Sequence, residues 1–95
     1  MSGELTTLRV RVEGIVQGVG FRDYAGRQAV ALNLKGWVRN RADGAMEAIV
    51  TGEVKDVERF VQASMKGPQG ASVTNIDLFA DTDPGGEGFI ELPDA

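Results

Sequence analysis

Between Leu8 and Leu32 the spacing of apolar residues changes from two to between three and four, and the change falls on a run of glycines. Leu8, Val10 and Val12 alternate with Arg9, Arg11 and Glu13, the pattern of a strand with one buried and one wet face. Gly14-Ile-Val-Gln-Gly-Val-Gly20 then places three glycines in seven residues, too many for a regular strand to continue. From Phe21 onward Phe21, Ala25, Ala29 and Leu32 share one helical face. Gly26 inside that helix costs roughly 1 kcal/mol relative to alanine, and Asn33 is suited to a left-handed terminus. A strand that feeds a helix through a glycine turn commits the chain to mixed α and β structure.

The remaining elements follow the same order. Lys35–Arg41 reads as a second strand, with Trp37 expected to pack in the core against a helix. Arg41-Ala-Asp-Gly44 is a hairpin turn. Met46–Thr51 is the return strand, with Met46, Ala48 and Val50 on one side and Glu47 and Ile49 on the other. A second amphipathic helix follows Gly52, carrying Val54, Val57, Val61 and either Ser64 or Met65, with Phe60 beside them, until Gly67-Pro68 ends it. Val73–Phe79 is a fourth strand. Gly88–Leu92 is a short last one whose inward side Phe89-Ile90 leaves open.

Strand, helix, strand, strand, helix, strand is the order of an α+β, ferredoxin-like split β-α-β sandwich. The expected form is an antiparallel four- to five-stranded sheet with both helices on one face and Arg9 and Arg11 as solvated charges on the other. Residues 1–95 are expected to form a single domain, with residues 1–6 as a disordered N-terminus. No stretch approaches the ~20 apolar residues of a membrane span. The first residues lack the basic and apolar segments of a secretory signal, so a cytoplasmic location is expected.

Two absences restrict the chemistry. The chain has no cysteine and no histidine, so it offers no thiolate, no disulfide and no imidazole base. Ser2, Ser64 and Ser72 have no histidine to activate them. The charge is also uneven. Up to Arg41 seven basic residues face three acidic ones, a balance of +4; from Ala42 on, three basic residues face eleven acidic ones, a balance of −8. A focused positive region on an acidic protein suits a small anion better than a nucleic acid.

The glycine run is where such an anion would sit. A glycine-rich turn entering a helix leaves main-chain N–H groups unpaired at the positive end of the helix dipole. Arg22, in the first turn, opposes that dipole and makes chemical sense with an anion between its donor fork and the loop. The pattern is neither a phosphate loop of the Gly-Lys-Ser/Thr type nor a dinucleotide fingerprint, and a ligand-free connection is the competing reading. Asn40 closes the second strand. Its amide suits holding a water, and ordinary turn chemistry before Asp43-Gly44 is the alternative. Tyr24 reads as a core-edge residue.

Taken together, Val12–Arg22, Gly36-Trp-Val-Arg-Asn40, Asp43-Gly44 and the Gly52…Gly67-Pro68 bracket resemble the acylphosphatase family. The resemblance runs from Leu8 to about Leu78, with Phe89 near the end. It implies hydrolysis of the carboxyl–phosphate bond of small acyl phosphates by direct attack of water. It further implies that the main chain of Ile15, Val16, Gln17, Gly18, Val19, Gly20 and Phe21 cradles the phosphate, Arg22 binds phosphoryl oxygens and Asn40 positions the water. Neither cofactor nor metal is implied. The expected partner is the small substrate alone, bound by a monomer without nucleic acid or membrane. Apolar Val30 and Ala31, where the family often has charge, and the last strand depart from the pattern. Two other functions remain open to such a chain: a non-catalytic anion-binding or regulatory module, and an RNA-binding sheet face. The latter would need exposed aromatics on the sheet.

Overall fold

A computed structural model describes residues 3–95. Its elements are β1 (Leu5–Ile15), α1 (Phe21–Ala31), β2 (Lys35–Asn40), β3 (Met46–Glu53), α2 (Val54–Lys66), β4 (Ser72–Ala80) and β5 (Phe89–Glu91). The strands form one sheet in the order β4-β1-β3-β2-β5, with both helices packed on it. β1 begins at Leu5, paired with Glu53, so strand structure starts inside the segment expected to be disordered; Met1 and Ser2 lie outside the described residues.

β1 pairs antiparallel with β3 and β4, and β2 pairs antiparallel with β3, whereas β5 runs parallel to β2. The sheet is therefore mixed, and the expectation of an antiparallel sheet is corrected. The cause is topological. β4 lies at one edge, antiparallel to β1, and the chain must cross to the opposite edge through residues 81–88. A strand that comes back from β4 runs in the sense of β1, which is also the sense of β2.

Period two decides which strand residues meet the helices. Val10 and Val12, Val38, and Met46, Ala48 and Val50 all point into the core, against Phe21, Ala25 and Ala29 of α1 and Val57 and Phe60 of α2. Phe89 packs against this core and Ile90 is exposed, which resolves the inward side of β5. In α2 Ser64 is buried and donates to the Phe60 carbonyl (2.9 Å), while Val54 and Met65 are exposed. The stripe is narrower than the apolar residues implied. Asn33 adopts φ 58° at the end of α1, as its place there predicts. Tyr24 lies at the core edge, its hydroxyl donating to the Ala63 carbonyl (3.0 Å).

Trp37 departs from its expected place. Gly36 and Val38 take the helix side of β2, so alternation sends Trp37 to the open face, beneath Arg39 at 5.8 Å. Arg9 and Arg11 are on that face too, but as members of ion pairs. Arg9 bonds Glu47 (2.8 Å) and lies over the Phe79 ring (4.3 Å); Arg11 bonds Asp43 (2.6 Å) and Glu13 (3.3 Å). Phe79 and Trp37 are three strand positions apart in the sheet, about 14 Å at the usual interstrand spacing. That is too far for them to stack neighbouring bases of a single strand.

Candidate active site

The loop after β1 is aimed by a bulge. The β1–β4 register shifts between Glu13 and Gly14, bending the strand end as bulges do. Val16 is then buried and pins the loop to the core. Gln17 ties the loop to the β2–β3 turn, its Nε2 donating to the carbonyls of Arg41 (2.8 Å) and Ala45 (2.9 Å). Gly18 and Gly20 have φ 75° and 76°, left-handed values that favour glycine. A Cβ at either would meet no atom within 4 Å, so these glycines border open space and leave the main chain bare to a ligand.

Gly20 is the N-cap of α1 and provides no side-chain cap. Among the described residues no acceptor takes the N–H groups from Gln17 to Asp23. Together with the dipole of an 11-residue helix, they are groups an anion could accept from. The cleft they border measures about 380 Å³ and is lined by Val16, Gln17, Gly18, Gly20, Phe21, Arg22, Asp23, Asn40, Glu91 and Asp94. Of the loop residues singled out in the sequence, Ile15 is exposed away from it. Val19 instead packs against the core, near Gly70.

Arg22 and Asn40, 18 residues apart in sequence, meet in this cleft. Arg22 Nη1 donates to Asp94 Oδ1 (2.7 Å) and to the Leu92 carbonyl (3.1 Å). Asn40 Nδ2 donates to the same Asp94 oxygen (3.1 Å). Asn40 Oδ1 is buried without a partner, a state that costs about 1–3 kcal/mol unless a ligand or water relieves it. Asn40 shares the helix side of the sheet with its register partner Met46, which brings its amide to the mouth of the loop.

Glu91 and Asp94 also border the cleft, and sequence reasoning missed both. They follow a loop without periodicity, and only their charge was visible. Gly26 of α1 faces the Glu91 side chain of β5, and a Cβ there would come within 3.1 Å of its carboxylate. In the turn that Gln17 grips, Asp43 accepts the Ala45 N–H (3.1 Å) and a bond from Arg11 (2.6 Å). These hold its carboxyl below the ordinary carboxylate range, the main-chain bond first. Among the described residues no three His, Cys, Asp or Glu side chains gather as a metal site requires.

Comparison with known proteins places most of the sequence. A family model described as acylphosphatase matches residues 8–90. The acylphosphatase of Acidiphilium cryptum is 48% identical over 81 residues, covering 84% of this chain and 88% of that protein. The crystal structure of acylphosphatase from Bacillus subtilis superposes with a TM-score of 0.87 at 34% identity, over 94% of this chain and 99% of that one. Full-length HypF, solved in a phosphate- and nucleotide-bound form, contains a region with a TM-score of 0.89 at 28% identity; it spans 99% of this chain and 13% of HypF. A glycine loop with bare main-chain N–H groups, an asparagine brought to its mouth and a family match over most of the length lead to one assignment: the chain belongs to the acylphosphatase family.

Proposed function

We propose that the cleft between the Gln17–Asp23 main chain, Arg22 and Asn40 carries out the family's reaction, hydrolysis of an acyl phosphate to a carboxylate and inorganic phosphate. The phosphoryl group lies on the loop N–H groups and the N-terminus of α1, and Arg22 binds its oxygens. Asn40 holds a water through the amide whose Oδ1 has no partner in the fold. That orphaned, buried acceptor beside Arg22 is the observation that carries the reading.

The water oxygen forms the new bond to phosphorus while the bond from phosphorus to the acyl oxygen breaks. The acyl oxygen leaves as a carboxylate, a weak base with pKa about 4, so no general acid is needed to expel it. One water proton passes to a phosphate oxygen, which suits a site without histidine. Little covalent work is left to the protein: phosphoryl transfer through a loose transition state depends on positioning and on stabilising charge. No metal enters these steps. We take the chain to act as a single domain, as a monomer in the cytoplasm, on small diffusible acyl phosphates, without nucleic acid or membrane as partner. No helix among the described residues is long and apolar enough to cross a membrane.

Steady-state hydrolysis of benzoyl phosphate tests the site. Inorganic phosphate should inhibit competitively, and a chelator should leave the rate unchanged. Noncompetitive inhibition by phosphate, or loss of activity with the chelator, would overturn the proposed chemistry.

A further inference from the structure

The cleft is entered by its own chain. Beyond β5 the Leu92 N–H donates to the Val38 carbonyl (2.8 Å) and the Ala95 N–H to the Asn40 carbonyl (3.0 Å). Residues 92–95 thus continue along β2 past its end, with Pro93 stiffening the segment. This path delivers the Asp94 carboxylate onto the two side chains assigned to the substrate. A single oxygen, Oδ1, accepts from both Arg22 (2.7 Å) and Asn40 (3.1 Å), and Arg22 is further engaged by the Leu92 carbonyl (3.1 Å).

A guanidinium that forks a phosphoryl group forks a carboxylate equally well. An oxygen held by both Arg22 and Asn40 stands where an oxygen of the bound phosphoryl group or the attacking water has to stand. The two occupants exclude each other. The contact is also built to give way, because the Asp94 side chain is 66% exposed and exposed pairs are weak and exchange with solvent.

We propose that residues 92–95 form an intramolecular competitor of the substrate, in which Asp94 occupies the phosphoryl site until an acyl phosphate displaces it. This rests on the assignment of Arg22 and Asn40 above. Apparent affinity for any anion at the site is then reduced by the fraction of molecules in which the strap is open. The strap lowers occupancy at low substrate and leaves the rate of the saturated enzyme untouched.

The test uses the full chain and inorganic phosphate as probe, with phosphate binding measured by calorimetry and benzoyl phosphate hydrolysis measured in parallel. Asp94→Asn and Asp94→Ala should bind phosphate about two- to tenfold more tightly and lower KM by the same factor, with kcat unchanged. Asp94→Glu, which keeps the charge, should stay nearer the parent. Unchanged phosphate affinity and KM in the neutral variants would overturn the competitor. A raised KM or reduced kcat would overturn it too, by showing that Asp94 positions Arg22. Arg22→Ala separates the two levels: if it binds phosphate as well as the parent, the site assignment itself falls. If it loses phosphate while the Asp94 variants show no gain, only the strap falls.

Discussion

Asn40 closes a strand, where asparagine is disfavoured, and its buried Oδ1 finds no partner in the folded chain. A residue kept only for the turn would turn its amide toward the turn's main chain. Here the Asp43 carboxylate takes that role, accepting the Ala45 N–H, and the Asn40 amide instead donates to the Asp94 oxygen that Arg22 also holds. Residue chemistry alone left Asn40 divided between water holding and turn formation, and left the glycine loop divided between anion site and empty connection. The family resemblance implies the roles, and the folded chain brings Arg22 and Asn40 to one cleft, where both donate to Asp94. Arg22 is the second test at this scale. Arg22→Lys keeps the charge and loses the planar fork, so phosphate inhibition should weaken and kcat/KM should fall by about tenfold or more, near the value of Arg22→Ala. Phosphate inhibition constants for the three proteins decide it, and full rescue by lysine would contradict a bidentate role. Asp94 was not legible, because an acidic residue in an aperiodic segment gives no sign of what it will touch.

Alternation and helical spacing fixed the elements, and the errors arose where two elements share a choice. Trp37 looked like core because it is large and apolar. Its side was set instead by Gly36 and Val38, whose helix-facing places follow from pairing with Val50 and Ala48 of β3. Ser64 and Met65 are equally open on a helical wheel; in the fold Ser64 lies one turn from Phe60 on the buried face of α2, and Met65 is exposed. The direction of β5 was fixed by strand order, which no local pattern encodes. Gly36 gives a prediction here. It has φ 136° and a Cβ would run into the Ile49 carbonyl oxygen, so Gly36→Ala must strain the backbone or break the β2–β3 ladder. A cost of about 1–3 kcal/mol for such strain, at roughly 4–8 °C per kcal/mol in a domain of this size, predicts a Tm lower by at least about 5 °C. An unchanged Tm would contradict the close approach of Gly36 to the Ile49 carbonyl.

Across the whole molecule the uneven charge of the sequence does not become an open positive field. Arg9, Arg11, Arg22, Lys35 and Arg41 from the basic half each pair with a carboxylate of the acidic half: Glu47 and Asp81, Asp43, Asp94, Asp83, and Glu47 respectively. Folding brings the halves together across the sheet, which a linear charge count cannot show. Most of the basic excess is paired with the acidic half, which leaves the proposed anion site its main-chain N–H groups and one arginine.

This pairing sets the response to acid. Asp43, through the Ala45 N–H and Arg11, and Asp83, through Lys35 and the Gly85 N–H, are held below the usual carboxylate range. A carboxyl depressed in the folded state contributes stability above its unfolded pKa of about 3.9 and loses it as pH falls through the folded value. Tm should therefore be flat toward neutral pH and fall below about pH 4. Asp43→Asn should make that fall shallower; an identical acid limb in the variant would contradict the assigned contacts.

Asn40 and Arg22, at the mouth of the glycine loop, are proposed to form the hydrolytic site. Turnover of benzoyl phosphate by the parent chain and by Asn40→Ala, measured side by side in folded protein, tests it most directly. The parent should hydrolyse the substrate. Asn40→Ala should lose about 10² or more in kcat with little change in KM, because the held water matters chiefly in the transition state. A folded Asn40→Ala variant with the parent's kcat would remove Asn40 from the hydrolytic site.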